Sequence, residues 1–258
     1  EEWSYNPIRI AYWQDGNNNK DGYKSNLKST MDFAMQKAIS EGIIEEENWN
    51  TGLIKIYENL ANDFYYSDPK SLLIFNDNHD MSRVYTQMKE DVSKTKMAIG
   101  LMLVLPRIPQ ILYGTEILME DSAKPGDHGL IRTDFPGGWK NDDTNAFSGE
   151  NMRNDQLEMQ NYMKTILNFR KNSKAIHYGQ TLHFAPIEGV YLISRKKDDE
   201  TVIYIVNKNK SSKELNLDRF NQLGVNNMIF TDVYTKEKYK WTNSITLKKN
   251  SSIILTNR

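Results

Sequence analysis

The chain has 258 residues, 33 basic and 34 acidic side chains, a formal net charge of -1, and 38% hydrophobic residues. Near-neutrality removes any global field for nucleic acid or an anionic membrane surface, and no run reaches the apolar length of a membrane-spanning helix. Zero cysteines exclude a disulfide framework and a thiolate metal site, while leaving periplasmic, extracellular and cytoplasmic settings all open.

The chain opens Glu1-Glu2-Trp3 rather than with Met, which fits a piece of a longer protein or a processed chain. Asp15, Asn17, Asn19 and Asp21 then alternate like the start of a calcium loop. The match fails where it is most demanding, because Lys20 stands where Gly is needed and Asn26 where a bidentate Glu is needed. A polar loop is the better reading, with a looser calcium site left open. Propensity makes residues 31–40 helical, with Gly42 as a stop signal.

Leu53, Ile56, Tyr57, Leu60 and Phe64 recur at helical spacing until Pro69, an amphipathic helix. Leu72 to Phe75 is apolar throughout, as a strand buried on both faces would be. Ala98, Leu101, Met102 and Leu105 repeat the helical period, and Ile108 to Tyr113 gives the next strand. Alternating helix and strand is β/α architecture. Residues 114–150 are rich in Gly, Asp, Asn and Pro and too long for a plain connection, so a functional loop is expected. Met159, Tyr162, Met163, Ile166 and Phe169 mark a last helix ending near Lys174.

From about Tyr178 the period switches to two. Val190–Arg195, Thr201–Asn207, Met228–Tyr234, Ser244–Leu247 and Ser252–Thr256 alternate between turn residues, the spacing of a small β-sandwich. The expected division is 1–177 and 178–258. The run Arg195-Lys196-Lys197 meets Asp198, Asp199 and Glu200 at once and reads as a solvated hairpin tip. His128, His177 and His183 show no metal-ligand spacing, so no zinc site is expected.

The most specific chemistry lies in Phe75-Asn76-Asp77-Asn78-His79-Asp80, directly after an apolar strand, with Arg83 three residues on. Asn and Asp are common turn formers after strands. An amide, an imidazole and a carboxylate together, however, suit gripping sugar hydroxyls and steadying a developing positive charge. Asn78, His79, Asp80 and Arg83 resemble the last signature of the α-amylase family of glycoside hydrolases (family 13). Glu1-Glu2-Trp3 is similar to that family's general-acid signature. Ile108 to Glu116 resembles its eighth barrel strand, and Arg132 to Trp139 resembles the following loop in the neopullulanase and cyclomaltodextrinase branch.

That resemblance implies the C-terminal half of a (β/α)₈ barrel followed by a small antiparallel β-sandwich, with a short strand at Met31-Asp32-Phe33. It implies a retaining glycosidase acting on α-1,4 bonds, with α-1,6 bonds left open, of malto-oligosaccharides, cyclodextrins, pullulan or starch. Glu1 then matches the general acid and Asp80 the transition-state stabiliser. Asn78 and His79 would touch sugar, Arg83 would touch sugar or pair with a site carboxylate, and Asp127 and Arg132 would form a distal subsite. Among the aromatic residues near strand ends, Trp139, flanked by Gly137 and Gly138, is the choice for a sugar platform. The family's nucleophile, an Asp upstream of the general acid, has no counterpart in the chain.

Half a barrel would carry two open edges, which predicts self-association or pairing with a missing first half. The rival readings are a non-catalytic glucan-binding fragment and a purely structural one.

Overall fold

The computed structural model describes residues 1–258. Helices and very short strands alternate first: α1 (Pro7–Tyr12), α2 (Phe33–Ile44), α3 (Ile54–Ala61), β1 (Leu73–Ile74), α4 (Val84–Gln87), α5 (Val92–Val104), β2 (Ile108–Pro109), α6 (His128–Ile131), α7 (Asn154–Asn172) and α8 (Lys174–Tyr178). β1 and β2 pair in parallel, Leu73 with Ile108 and Ile74 with Pro109, and Met31 bridges to Leu73, also in parallel. Three neighbouring chain passages therefore run side by side with helices between them, as barrel segments do.

Two expectations need correcting here. The strand at Met31 to Phe33 shrinks to the single bridge, because Asp32 already caps α2, its Oδ1 accepting from the Met35 amide at 3.0 Å. Gly42 does not stop α2, which runs on to Ile44. A Cβ at that position would lie 2.8 Å from Ile56 Cγ1, so the missing side chain lets α3 approach instead.

A buried ionic joint ties the helices to the strand starts. Arg107, fully buried just before β2, donates from Nε to Asp32 Oδ2 at 3.0 Å and also pairs with Asp63. Arg170 of α7 donates to the carbonyls of Leu103, Leu105 and Arg107. These include the oxygens that the C-terminal end of α5 cannot bond for itself.

The second unit holds β3 (Gln180–Ile187), β4 (Val190–Lys197), β5 (Glu200–Asn207), β6 (Lys213–Asn216), β7 (Ile229–Asp232), β8 (Lys238–Lys240), β9 (Ser244–Leu247) and β10 (Ser251–Thr256). Six of these form an antiparallel sheet in the order β3-β4-β5-β10-β7-β8, faced by the β6-β9 pair. Leu192, Ile203, Ile205, Phe220, Trp241 and Leu247 pack between the two sheets. β3, β6 and β8 have no counterpart in the sequence reading. Lys197 to Glu200 does form the tip of the β4–β5 hairpin, but Arg195 is not part of that solvated tip, being buried within β4 and donating to the Ile176 carbonyl.

The outer face of the large sheet is covered as well. Tyr191, Ile193, Val202, Tyr204 and Val206 belong to one apolar cluster with Met97, Leu101, Tyr162 and Ile166 of α5 and α7. Gly100 marks the closest approach, since a Cβ there would stand 2.9 Å from Tyr204 Cε2 and 2.8 Å from the Tyr162 hydroxyl. The Tyr204 hydroxyl donates to the Met97 carbonyl at 2.6 Å, which satisfies a polar group inside an otherwise dry contact.

Candidate active site

The chain leaves β1 at its C-terminal end, and the polar run follows at once. The Oδ1 of Asn78 accepts from the Asp80 amide at 2.8 Å, a local turn of the kind Asn favours. The Asn76 carbonyl is held by Gln36 Nε2 at 3.0 Å and Gln87 Nε2 at 3.1 Å. With its backbone fixed, the run presents His79 and Asp80 outward. His79 Nε2 lies 3.2 Å from Asp80 Oδ2, and Arg132 Nη2 lies 2.6 Å from Asp80 Oδ1.

Below this surface lies Asp77, almost fully buried. Its carboxylate accepts from the Val84 amide at 2.8 Å and from the Thr115 hydroxyl at 3.2 Å. Burial outweighs those bonds and the nearby Arg83 charge, pushing its pKa up to about 6. Asp77 thereby joins the start of α4 to the turn after β2.

The expectation for Arg83 is corrected. Its side chain is fully buried rather than open to solvent, and its guanidinium hydrogen-bonds to main-chain carbonyls rather than to a carboxylate. It donates from Nε and Nη2 to the Ile131 carbonyl and from Nη1 to the Tyr113 carbonyl, and its plane lies over the Tyr113 ring. Its own amide donates to Asp121 Oδ1 at 3.0 Å. Arg83 is a brace between the motif and the loop after β2.

Asp127 is placed differently from a free subsite residue. Its Oδ1 caps α6 through the amides of Gly129 and Leu130, and Lys124 Nζ sits 2.8 Å from Oδ2. The Lys124 hydrogen bond, then the Gly129 amide, hold its carboxyl below the usual range. Arg132 ends α6 and reaches back to the motif, donating from Nε to the His79 carbonyl at 2.9 Å. Its Nη2 also meets His128 Nδ1 at 3.1 Å, which requires the proton of a neutral His128 to sit on Nε2.

Glu1 is exposed and has no hydrogen bond or ion pair, whereas Glu2 pairs with Arg9 at 2.5 Å. The opening segment is tethered through Trp3, which stacks on Phe33 at 5.0 Å. Phe33 in turn meets Phe75 edge-on at 4.9 Å. That ladder ties the opening residues to the end of β1. Trp139 is 68% exposed, with Nε1 donating to Asp134. Gly137, at φ +96°, forms the turn before it, and a Cβ there would strike Asn145. The Asp15 to Asp21 loop spends its polar groups internally: Asn19 donates to Tyr12 and Tyr23 carbonyls, and Asp21 accepts from the Tyr12 hydroxyl. No group of three or more His, Asp or Glu is arranged to hold a metal ion.

The model of the α-amylase catalytic domain matches residues 11–214, and that of the cyclomaltodextrinase C-terminal domain matches residues 181–256. The chain belongs to the α-amylase family. A cyclomaltodextrin glucanotransferase of Thermoanaerobacterium thermosulfurigenes is 26% identical over 81% of the chain and 27% of its own length. An α-amylase of Niallia circulans is 24% identical over 90% of the chain and 40% of its own length. The fold of the Geobacillus thermoleovorans α-amylase, solved with acarbose, superposes with a TM-score of 0.76 at 20% identity, over 99% of this chain and 52% of that one. The chain thus spans about a quarter to two fifths of those curated relatives and half of the solved structure. It carries part of an α-amylase-type barrel followed by the β-rich C-terminal domain.

Within this family member the structure brings His79, Asp80, Arg132 and His128 into one bonded group, leaves Asn78 buried as a turn former, and keeps Glu1 and Trp139 outside that group. Sequence reasoning missed Asp77 and Thr115, although both lie inside quoted motifs. It also missed the pairing of Arg132 with Asp80, which joins residues 52 positions apart and leaves no local trace.

Proposed function

We propose that this chain supplies one part of the active site of a retaining glycoside hydrolase. That enzyme would cleave α-1,4 bonds, with α-1,6 bonds left open, of malto-oligosaccharides, cyclodextrins, pullulan or starch. The observation that carries the reading is the Asp80 carboxylate in the polar segment that follows parallel strand β1, flanked by the His79 imidazole and the Arg132 guanidinium. In such a site one carboxylate attacks, a second protonates the leaving oxygen, and a fixed charge steadies the oxocarbenium-like transition state between them. Asp80 takes the stabilising role and His79 donates to a sugar hydroxyl. Glu1 takes the acid role, a reading supported by its sequence match two residues before Trp3. No residue of this chain is assigned as nucleophile, which the proposal places elsewhere in the full-length protein. The proposed division is residues 1–177 and 178–258, with self-association or pairing with a complementary barrel half through the open edges of the short parallel sheet.

Reducing-sugar release from γ-cyclodextrin and maltoheptaose tests this, with the 258-residue chain and the full-length protein run side by side. Turnover by the full-length protein alone supports the reading, and turnover by neither removes it. Equal turnover by both would mean that carboxylates within the chain suffice. A second reading, glucan binding without cleavage, draws on the exposed rings of Trp139 and Phe147, at 68% and 76% exposure. Retention on amylose with no sugar released would favour it.

A further inference from the structure

We infer that Arg132 is a positioning residue that fixes the carboxylate of Asp80, rather than a distal sugar contact. The inference rests on the stabilising role proposed for Asp80. An exposed ion pair by itself contributes little, because two flexible side chains must be ordered to make it. This pair is held at both ends. On one side the Asn78 turn fixes the Asp80 backbone. On the other, Asp127 caps α6, and buried Arg83 grips the Ile131 carbonyl one residue before Arg132.

The guanidinium then spans two acceptors on adjacent residues. Nε donates to the His79 carbonyl at 2.9 Å and Nη2 to Asp80 Oδ1 at 2.6 Å, with His128 Nδ1 at 3.1 Å on its far side. A planar fork with fixed donors restrains the torsions of the residue it grips, which a single ammonium charge does not. Asp80 Oδ1 is engaged, which leaves Oδ2, beside His79 Nε2, as the oxygen free to meet a sugar hydroxyl. Two of the arginine's three nitrogens are committed to the protein, so only Nη1 is left for any ligand. The order of support runs from Arg83 through Ile131 and Arg132 to Asp80.

The test compares wild type, Arg132→Ala, Arg132→Lys and Asp80→Asn in the full-length protein, with maltotriose and maltoheptaose as substrates. Loss of orientation alone should lower kcat roughly 10- to 100-fold on both substrates with KM little changed, and Lys should restore only part of it. Amide hydrogen exchange across residues 128–133 should speed up in both Arg132→Ala and Asp80→Asn. A KM that rises with substrate length while kcat holds would overturn the inference in favour of a distal sugar contact. Exchange unchanged in Arg132→Ala would overturn it too, because the pair would not exist in solution. If wild type cleaves neither substrate the proposed function falls, and the exchange result still decides whether Arg132 holds Asp80.

Discussion

Arg83 places two donors, Nε at 3.0 Å and Nη2 at 2.6 Å, on the main-chain oxygen of Ile131, 48 residues further along the chain. A buried arginine that serves carbonyls rather than carboxylates bears on stability before it bears on chemistry. In Arg83→Met the buried Ile131 carbonyl and the part-buried Tyr113 carbonyl lose their partners. The expected loss is about 2–4 kcal/mol, read as a lower urea midpoint. A midpoint within experimental error of wild type would show that the brace contributes nothing.

Asp77 makes stability depend on pH in an unusual direction for a carboxylate. Its folded pKa of about 6 lies above the ordinary 3.8, so the fold favours the protonated form. The stability it contributes is full below pH 4 and is lost as pH rises through 6. The shift corresponds to roughly 3 kcal/mol at most. Chemical denaturation of wild type and Asp77→Asn at pH 4 and pH 7 should show wild type losing more between the two. Parallel losses in both proteins would remove Asp77 as the source.

Asp80 is the residue whose loss should separate chemistry from folding. In the full-length protein Asp80→Asn should reduce turnover of maltoheptaose on the order of hundreds-fold or more. Its thermal midpoint should stay within a few degrees of wild type, because the side chain is part-exposed and the ion pair it loses is a surface one. Near-normal turnover would take Asp80 out of the mechanism.

Gly100 reports on the contact between α5 and the large sheet. Gly100→Ala would improve helix propensity, yet the new methyl meets Tyr204 and Tyr162 at 2.9 and 2.8 Å. Overpacking should dominate, lowering stability by about 1–3 kcal/mol. A more stable Ala variant would mean that the tyrosines shift freely and that this contact is loose.

The sequence was most legible where a physical constraint acts locally. α7 and β9 follow from periodicity because burial recurs along each, while β4, β5 and β10 stand out as short apolar runs bounded by turn residues. β3 was missed because its residues are mostly half-buried and its ladder is irregular between Phe184 and Ile187. β8, three residues long and mainly lysine, offers no apolar pattern at all. Gly42 misled because a helix-breaking residue and a residue that admits a neighbouring helix look alike in one dimension. At the site, the motif named His79 and Asp80, while the duties of Arg83 and Arg132 depend on residues about 50 positions away. Spacing cannot encode such a reach.

The apolar cluster shared by Met97, Leu101, Tyr162, Tyr204 and Val206 bears on modularity. A β-rich terminal domain is commonly treated as portable, something to be exchanged among relatives or trimmed from a catalytic core. Here its large sheet supplies one wall of the chamber that the barrel helices α5 and α7 pack into. A chimera joined near residue 178 would therefore inherit two mismatched surfaces at once. Grafts that carry α5 and α7, and with them α3 and α8, which also meet the sheet through Tyr57 and Ile176, would keep the seam matched.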